Sequence, residues 1–295
     1  MFEALQHTEQ QLNQVLLGKH QVVRLALCCL VAGGHLLLED RPGVGKTTLA
    51  HALAESLGLS YRRVQFTNDL LPADLTGFRI YDARSAEFSF SPGPIFHQVL
   101  LADEINRASS KSQSALLEAM EEHQVSIDGQ TYPLPAPFFV IATQNPLEQT
   151  GTQALPESQL DRFTMRLSLG FPDRASERAM LLGMQQTVQS ASLNWEQLQQ
   201  AVQQIQISDD VLNYLLDLVN ASRTNQQSHA LSPRASKALL QCAKAWALLQ
   251  QRSFVMPDDI QAVFVAVCNH RLEPQCPVEK TTLARQLLAT TVCPV

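Results

Sequence analysis

The sequence predicts an α/β protein: a mostly parallel sheet covered by helices, followed by an all-helical C-terminal part. Three observations predict it. Residues 1–170 alternate strand-like and helix-like segments, the pattern of a sheet whose parallel strands are joined by crossover helices. The strand candidates are short continuous apolar runs, as expected of strands buried on both faces. From residue 171 to 295 strand patterns disappear and helical runs opened by capping residues replace them.

The first strong feature is the apolar stretch Val22 to Leu38. It contains Arg24, Gly33, Gly34 and His35, and falls short of the ~20 apolar residues a membrane-spanning helix needs. A helix, a Gly-Gly turn and a buried strand explain it better, and no membrane insertion is expected. The strand candidates are His35–Glu39, Tyr61–Phe66, Val99–Ala102 and Phe138–Thr143, and helices are expected over Lys46–Leu57 and Lys111–Glu122. Two segments break the alternation. Arg79–Phe90, rich in aromatic and polar residues, reads as a small β insertion. Gln124–Leu134 holds Asp128-Gly129, a strong hairpin turn signal. Beyond Phe171-Pro172-Asp173, helices are expected over Ala175–Gln185, Trp195–Ile205, Asp209–Ser222, Pro233–Gln250, Pro257–His270 and Glu279–Thr290. Ser208 and Ser232 stand where N-caps belong, and Pro233 suits a first helical position.

Chemistry concentrates in a few places. Asp40-Arg41-Pro42-Gly43-Val44-Gly45-Lys46-Thr47-Thr48 follows an apolar strand and opens a helix, the context that makes a phosphate loop credible. Backbone N–H groups of such a loop point at phosphates. Gly43 and Gly45 let the backbone approach them, Lys46 supplies a mobile charge, and Thr47 offers a hydroxyl to Mg²⁺. The usual first glycine is Asp40 here; Asp tolerates left-handed backbone, so the loop is expected to survive. Val99–Ala102 runs into Asp103-Glu104. Asp103 can hold Mg²⁺ through its water shell, and Glu104 can polarise the water that attacks a γ-phosphorus. A third apolar strand ends in Gln144-Asn145-Pro146, where Asn145 could align that water or serve only as a turn former. Arg162 and Arg234 suit a transition state with charge spread over phosphoryl oxygens. Either could equally be a surface ion pair, and Arg162 has Asp161 beside it.

Together these residues resemble the core and helical lid of an AAA+ ATPase, over nearly the whole chain. The wording is closer still to the MoxR family. It shows in Gly33–Glu39, Asp103-Glu104-Ile105-Asn106-Arg107-Ala108, Leu116–Glu122, Ala142–Pro146 and Leu155–Phe163. The resemblance implies a P-loop core over 1–170 and an all-helical lid over 171–295. It places Lys46 and Thr47 in Walker A, Asp103 and Glu104 in Walker B, Asn145 at sensor 1, Arg162 as an arginine finger and Arg234 as sensor 2. The stretch around Leu17-Gly18-Lys19 is similar to the segment that lines the adenine pocket. The two irregular segments fit the helix-2 insertion and the hairpin before sensor 1. The resemblance further implies Mg²⁺-dependent ATP hydrolysis by a homo-oligomeric ring, typically a hexamer. It also implies a chaperone-like action on a protein complex, often with a partner bearing a von Willebrand factor A domain.

Bulk properties narrow the partners. Net charge is −6, with 45% apolar and 17% charged residues, ordinary for a soluble globular chain. That balance argues mildly against non-specific nucleic-acid binding. The six cysteines match no zinc spacing and read as reduced thiols of a cytoplasmic protein; the N-terminus has no signal-peptide pattern. A nucleic-acid motor shares the core, yet Gln124–Gln130 carries no Lys or Arg to face phosphates and has an acid at its tip. Arg79 and Arg84 in the insertion are offset by Asp82 and Glu87. A scaffold that binds ATP without turnover is the third reading, and Glu104 argues against it.

Overall fold

The structure, a computed structural model, describes residues 2–83, 86–145, 153–184, 193–225, 229–274 and 276–294. Arg84, Pro146 and much of the Gln-rich stretch after Gln185 lie outside the described residues, as do the side chains of Asp82 and Glu279.

Two helices come first, α1 (Phe2–Val15) and α2 (His20–Val31). Then follow β1 (Leu36–Glu39), α3 (Lys46–Ser56), β2 (Tyr61–Gln65) and α4 (Pro72–Thr76). β3 (Gly77–Asp82) and β4 (Glu87–Pro92) form an antiparallel hairpin of their own. β5 (Val99–Asp103) leads through a short 3-10 turn to α5 (Ser110–Glu122). A second hairpin, β6 (Gln124–Ile127) and β7 (Gln130–Pro133), turns on Asp128 and Gly129, both with positive φ. β8 (Phe139–Gln144), α6 (Glu157–Leu160) and β9 (Met165–Leu167) complete the sheet region. Among the described residues six α-helices follow: α7 (Arg174–Leu181), α8 (Trp195–Gln204), α9 (Asp209–Thr224), α10 (Pro233–Leu249), α11 (Pro257–Leu272) and α12 (Leu283–Thr290).

The main sheet is parallel, in the order β2-β5-β8-β1-β9. Alternate residues of a strand face opposite sides, and the core divides accordingly. Leu36, Leu38, Leu101 and Ile141 join α1–α3 on one side; Leu37, Leu100 and Val140 join Leu116 and Leu117 of α5 on the other. The first of these layers runs on without a break into Leu239, Ala243, Phe264 and Val267 of α10 and α11. Each fully buried Leu or Phe there contributes ~1.5–3 kcal/mol relative to exposure, so the helical part is fastened to the α2 side of the sheet by apolar packing.

Capping follows the sequence signals. Ser208 accepts from the Val211 N–H and Ser232 from the Ala235 N–H, with Pro233 in the first turn of α10. Four expectations need correction. β2 is an edge strand with Arg62, Arg63 and Gln65 exposed, not a strand buried on both faces. Leu155–Phe163, whose sequence reads as a helix-like run before the last strand, is helical only over α6, because Pro156 and the turn at Asp161 bracket it. α7 stops at Leu181, with Gly183 at φ +67 just past its end, and Gln185, the expected end of this helix, lies outside the described residues. α12 begins at Leu283 rather than Glu279, after a 3-10 turn over Val278–Lys280.

Candidate functional site

Ligands of open parallel sheets bind at the carboxyl ends of the strands, and three of this sheet's strands deliver chemistry there. β1 ends at Glu39 and passes into the glycine loop. Gly45 caps α3 at φ 99 and ψ 17, and Gly43 has φ +84, so both glycines adopt the left-handed backbone other residues avoid. A Cβ on Gly43 would meet nothing within 4 Å; its lack of a side chain keeps open the face a phosphate would approach. The Lys46 ammonium donates to the Asp40 carbonyl at 2.6 Å, folding the side chain across the loop.

Asp40 itself is not among the described residues with positive φ. Left-handed tolerance is therefore not what lets it replace the usual glycine. Its buried carboxylate accepts from Ser168 Oγ (2.9 Å) and from the Leu169 and Gly170 N–H groups. The acid satisfies backbone donors where β9 leaves the sheet, which a glycine could not do.

β5 ends at Asp103. Its Oδ1 accepts from Thr143 Oγ1 at 2.6 Å, and that hydroxyl in turn accepts from the Glu104 N–H at 2.9 Å. Glu104 sits at φ 57 and ψ 49, a conformation costing a non-glycine residue ~1–3 kcal/mol. The turn aims its carboxylate back over the cleft, where Oε2 accepts from Gln65 Nε2 and pairs with Arg107 Nε, both at 2.9 Å. Asn145 follows β8 and is buried. A cleft of about 380 Å³ gathers Pro42, Gly43, Gly45 and Lys46–Thr48 with Asp103, Glu104 and Asn145.

A second cleft of about 590 Å³ adjoins it, sharing Gly43, Gly45 and Thr48. Its walls are apolar: Leu16, Leu17, Val44, Phe171, Met180 and Leu181. Lys19 closes one side, donating to the Phe171 carbonyl at 2.6 Å. A polar cleft opening into an apolar slot is the shape that takes phosphates at one end and a flat base at the other.

Beneath this site lies a buried charge cluster. Arg166 pairs with Glu39 at 3.3 Å, and both are almost fully buried. Glu39 also accepts from Gln144 Nε2 (2.6 Å) and from the Val278 N–H (3.2 Å). Burial pulls the Arg166 guanidinium below its ordinary value, and the Glu39 charge opposes that.

Residues 35–165 match the AAA family, described as the ATPase family associated with various cellular activities, and residues 221–289 match the AAA lid domain. The Bacillus subtilis protein YeaC, itself uncharacterized, is 43% identical over 97% of this chain and 93% of its own. The chaperone MoxR1 of Mycobacterium tuberculosis is 38% identical over 89% of this chain and 74% of its own. The chain belongs to the MoxR family of AAA ATPases. A crystal structure of a candidate ATPase from Cytophaga hutchinsonii, 34% identical, superposes with a TM-score of 0.85 and covers 100% of this chain and 96% of that one.

Within this MoxR-family fold the residues expected from sequence separate into two groups. The loop residues, Asp103, Glu104 and Asn145 meet in the polar cleft, and Val44 lines the apolar slot. Gly18 lies beside the slot rather than in its wall. It turns the chain at φ +73 between α1 and α2, and a Cβ there would meet Ser176 Oγ at 2.3 Å. Its neighbours Leu17 and Lys19 provide the lining.

Arg162 and Arg234 are elsewhere. His35, just before β1, donates from Nε2 to the Met120 carbonyl (3.2 Å), and its own carbonyl accepts from the Thr164 N–H. The end of α5 and the start of β9 thus meet at the amino edge of the sheet, at least the ~13 Å length of a four-residue strand from the loop. There Glu121 pairs with Arg162 at 2.5 Å and also with Arg234, whose other nitrogen approaches Asp161 at 3.8 Å. Asp161 also accepts from Arg271 Nε at 2.7 Å and from Ser232 Oγ at 3.0 Å, completing the cluster. Arg234, which the resemblance matches to sensor 2 of the lid, stands with the start of α10 at this far edge and not beside the glycine loop of its own chain.

Sequence reasoning missed Arg63 and Gln65, which line the polar cleft, and Phe171, Met180 and Leu181, which line the slot. The signal for the first pair was present: three polar residues interrupting an otherwise apolar strand at Arg62-Arg63-Val64-Gln65 mark an edge with one face on a cavity.

Proposed function

We propose that the chain is a Mg²⁺-dependent ATPase working as a homo-oligomeric ring, each site completed by a neighbour's Arg162 and Arg234. The observation that carries this reading is the division of the polar machinery between two opposite edges of one sheet. Lys46, Thr47, Asp103, Glu104 and Asn145 border one cleft. The two arginines share Glu121 on the other edge, both partly exposed. A ring stacking the amino edge of one subunit against the carboxyl edge of the next brings the halves together.

The residues fit the substrate and its ion. Gly43 and Gly45 open the backbone at the start of α3 to phosphate oxygens. Rotation of Lys46 away from the Asp40 carbonyl brings its charge to them. Mg²⁺ is held by one or two protein oxygens with phosphates and water. Thr47 and Asp103, both lining the polar cleft, would supply those oxygens, and the ion, when bound, would neutralise developing charge on the phosphates. Glu104 orients and deprotonates the attacking water. Its contacts with Gln65 and Arg107 both fall on Oε2. Asn145, at the tip of the neighbouring strand, fixes that water's position. The apolar slot, with Leu17 and Met180 in its lining, would receive the adenine.

We further infer a chaperone-like role: the ring, a hexamer in the cytoplasm, remodels or activates a protein complex through a partner with a von Willebrand factor A domain. The two hairpins are the parts of the core that stand outside the main sheet, and they suit contact with a protein client. The name of MoxR1, a chaperone, supports this reading.

Glu104→Gln tests the chemistry. It should retain ATP binding and lose turnover by ~100-fold or more, the scale of a lost general base. Turnover near wild type would remove Glu104 from that role. The same variant, held in ATP, is the bait for partner capture, and recovery of a protein with a von Willebrand factor A domain is the expected result.

A further inference from the structure

We propose that Arg63 competes with the divalent cation for Asp103 and thereby sets how much magnesium the site needs, an inference that rests on reading Asp103 as the metal-side carboxylate. Asp103 has two oxygens in two different environments. Oδ1 is fixed from the β8 side by Thr143 Oγ1 at 2.6 Å. Oδ2 is held from the β2 side by the Arg63 guanidinium with two donors, Nε at 3.1 Å and an Nη at 2.5 Å. Arg63 and Asp103 both line the polar cleft, so the carboxylate offered to a metal there is already paired with a cation.

The strand register makes this contact. β2 and β5 run parallel with Arg63 opposite Leu101 and Gln65 opposite Asp103. An arginine two residues before the strand end is long enough to reach forward along the edge to the carboxylate. Because β2 is the edge strand, the guanidinium is also half-exposed and borders the cleft. It can swing off Oδ2 into water without losing a buried position. A guanidinium on Oδ2 and a divalent ion beside the same carboxylate repel each other, and each reduces the negative charge available to the other, so binding of one weakens binding of the other. The same Nη lies 3.4 Å from Gln65 Oε1, and the Gln65 amide holds Glu104. Metal entry at Asp103 thus disturbs the contacts of both carboxylates through one arginine.

The full-length chain binding a fluorescent ADP analogue, titrated with magnesium chloride, tests this. ADP has no γ-phosphate, so loss of an arginine contact to that group cannot enter the result. Arg63→Ala should lower the magnesium concentration at half-maximal binding by about three- to fivefold, the scale of removing one exposed ion pair. Arg63→Gln should give the same fall, and Arg63→Lys, a cation with one-point contact, should lie between these and wild type. Arg63→Gln also keeps the polar reach if the alanine variant is unstable. A half-point unchanged or raised in both neutral variants would overturn the competition while leaving the metal reading intact. Nucleotide binding indifferent to magnesium in the wild type would overturn both.

Discussion

Lowering the pH from 7 to 5 should cost the fold about 2 kcal/mol through His35 alone. The ring is fully buried between α5 and β8. Its Nδ1 accepts from the Val140 N–H at 3.0 Å, so the proton of the neutral ring sits on Nε2 and is donated to Met120 O at 3.2 Å. Burial lowers the imidazole from 6.5 to about 4, with His123 lowering it further and the Met120 contact opposing. A folded value below the unfolded one means that stability is fully present above pH ~6.5 and lost as pH falls toward ~4. At pH 5 the unfolded chain binds a proton that the native state refuses, which gives the figure above. His270, also buried and pushed well below 6.5 by burial and by Arg271, adds loss in the same direction. Urea unfolding of wild type and His35→Gln at both pH values isolates the term. The variant is less stable at pH 7 but should show about 2 kcal/mol less pH dependence. Equal pH dependence in the two proteins would refute the assignment of the loss to His35.

Arg166→Met leaves Glu39 buried and charged, so it should destabilise by ~3–5 kcal/mol in denaturant unfolding, while Glu39→Leu with Arg166→Met is milder than the single change. Arg162→Ala and Arg234→Ala subunits should each bind ATP and hydrolyse it poorly, and mixing either with Lys46→Ala subunits should restore turnover; failure in rings shown to be mixed would count against catalysis across subunits. Gly34→Ala would place a Cβ 2.5 Å from the Thr164 Cβ, and overpacking of this kind costs ~1–3 kcal/mol, read as a lower urea midpoint. Adding DNA or RNA at physiological salt should leave ATP turnover unchanged, because the β6–β7 hairpin turns on Asp128 and Gly129 and carries no basic side chain.

The legible parts of the fold were those fixed by local rules. Apolar runs at β1, β5 and β8 signalled buried parallel strands, Asp128-Gly129 signalled a hairpin, and Ser208 and Ser232 signalled helix starts. The loop and Asp103-Glu104 were readable because each is contiguous in sequence and stands at a strand end. What stayed hidden was set by neighbours far along the chain. Arg63 matters because strand order places β2 beside β5. The purpose of Asp40 emerges only where β9 leaves the sheet, about 130 residues later. The placement of Arg234 depends on which face of the sheet α10 covers, and no periodicity in α10 encodes that.

Asp40 gives the molecule one more property. Its carboxylate grips Leu169 and Gly170, the residues at which the chain leaves the sheet for α7, and Gly170 turns there at φ +61. The first residue of the glycine loop and the pivot of the helical part are thus one mechanical joint. Swinging α7 away from the slot pulls on the same acid that shapes the phosphate cradle. The grip on the base and the grip on the phosphates should therefore loosen as a single event, and spent nucleotide should leave whole rather than tail first.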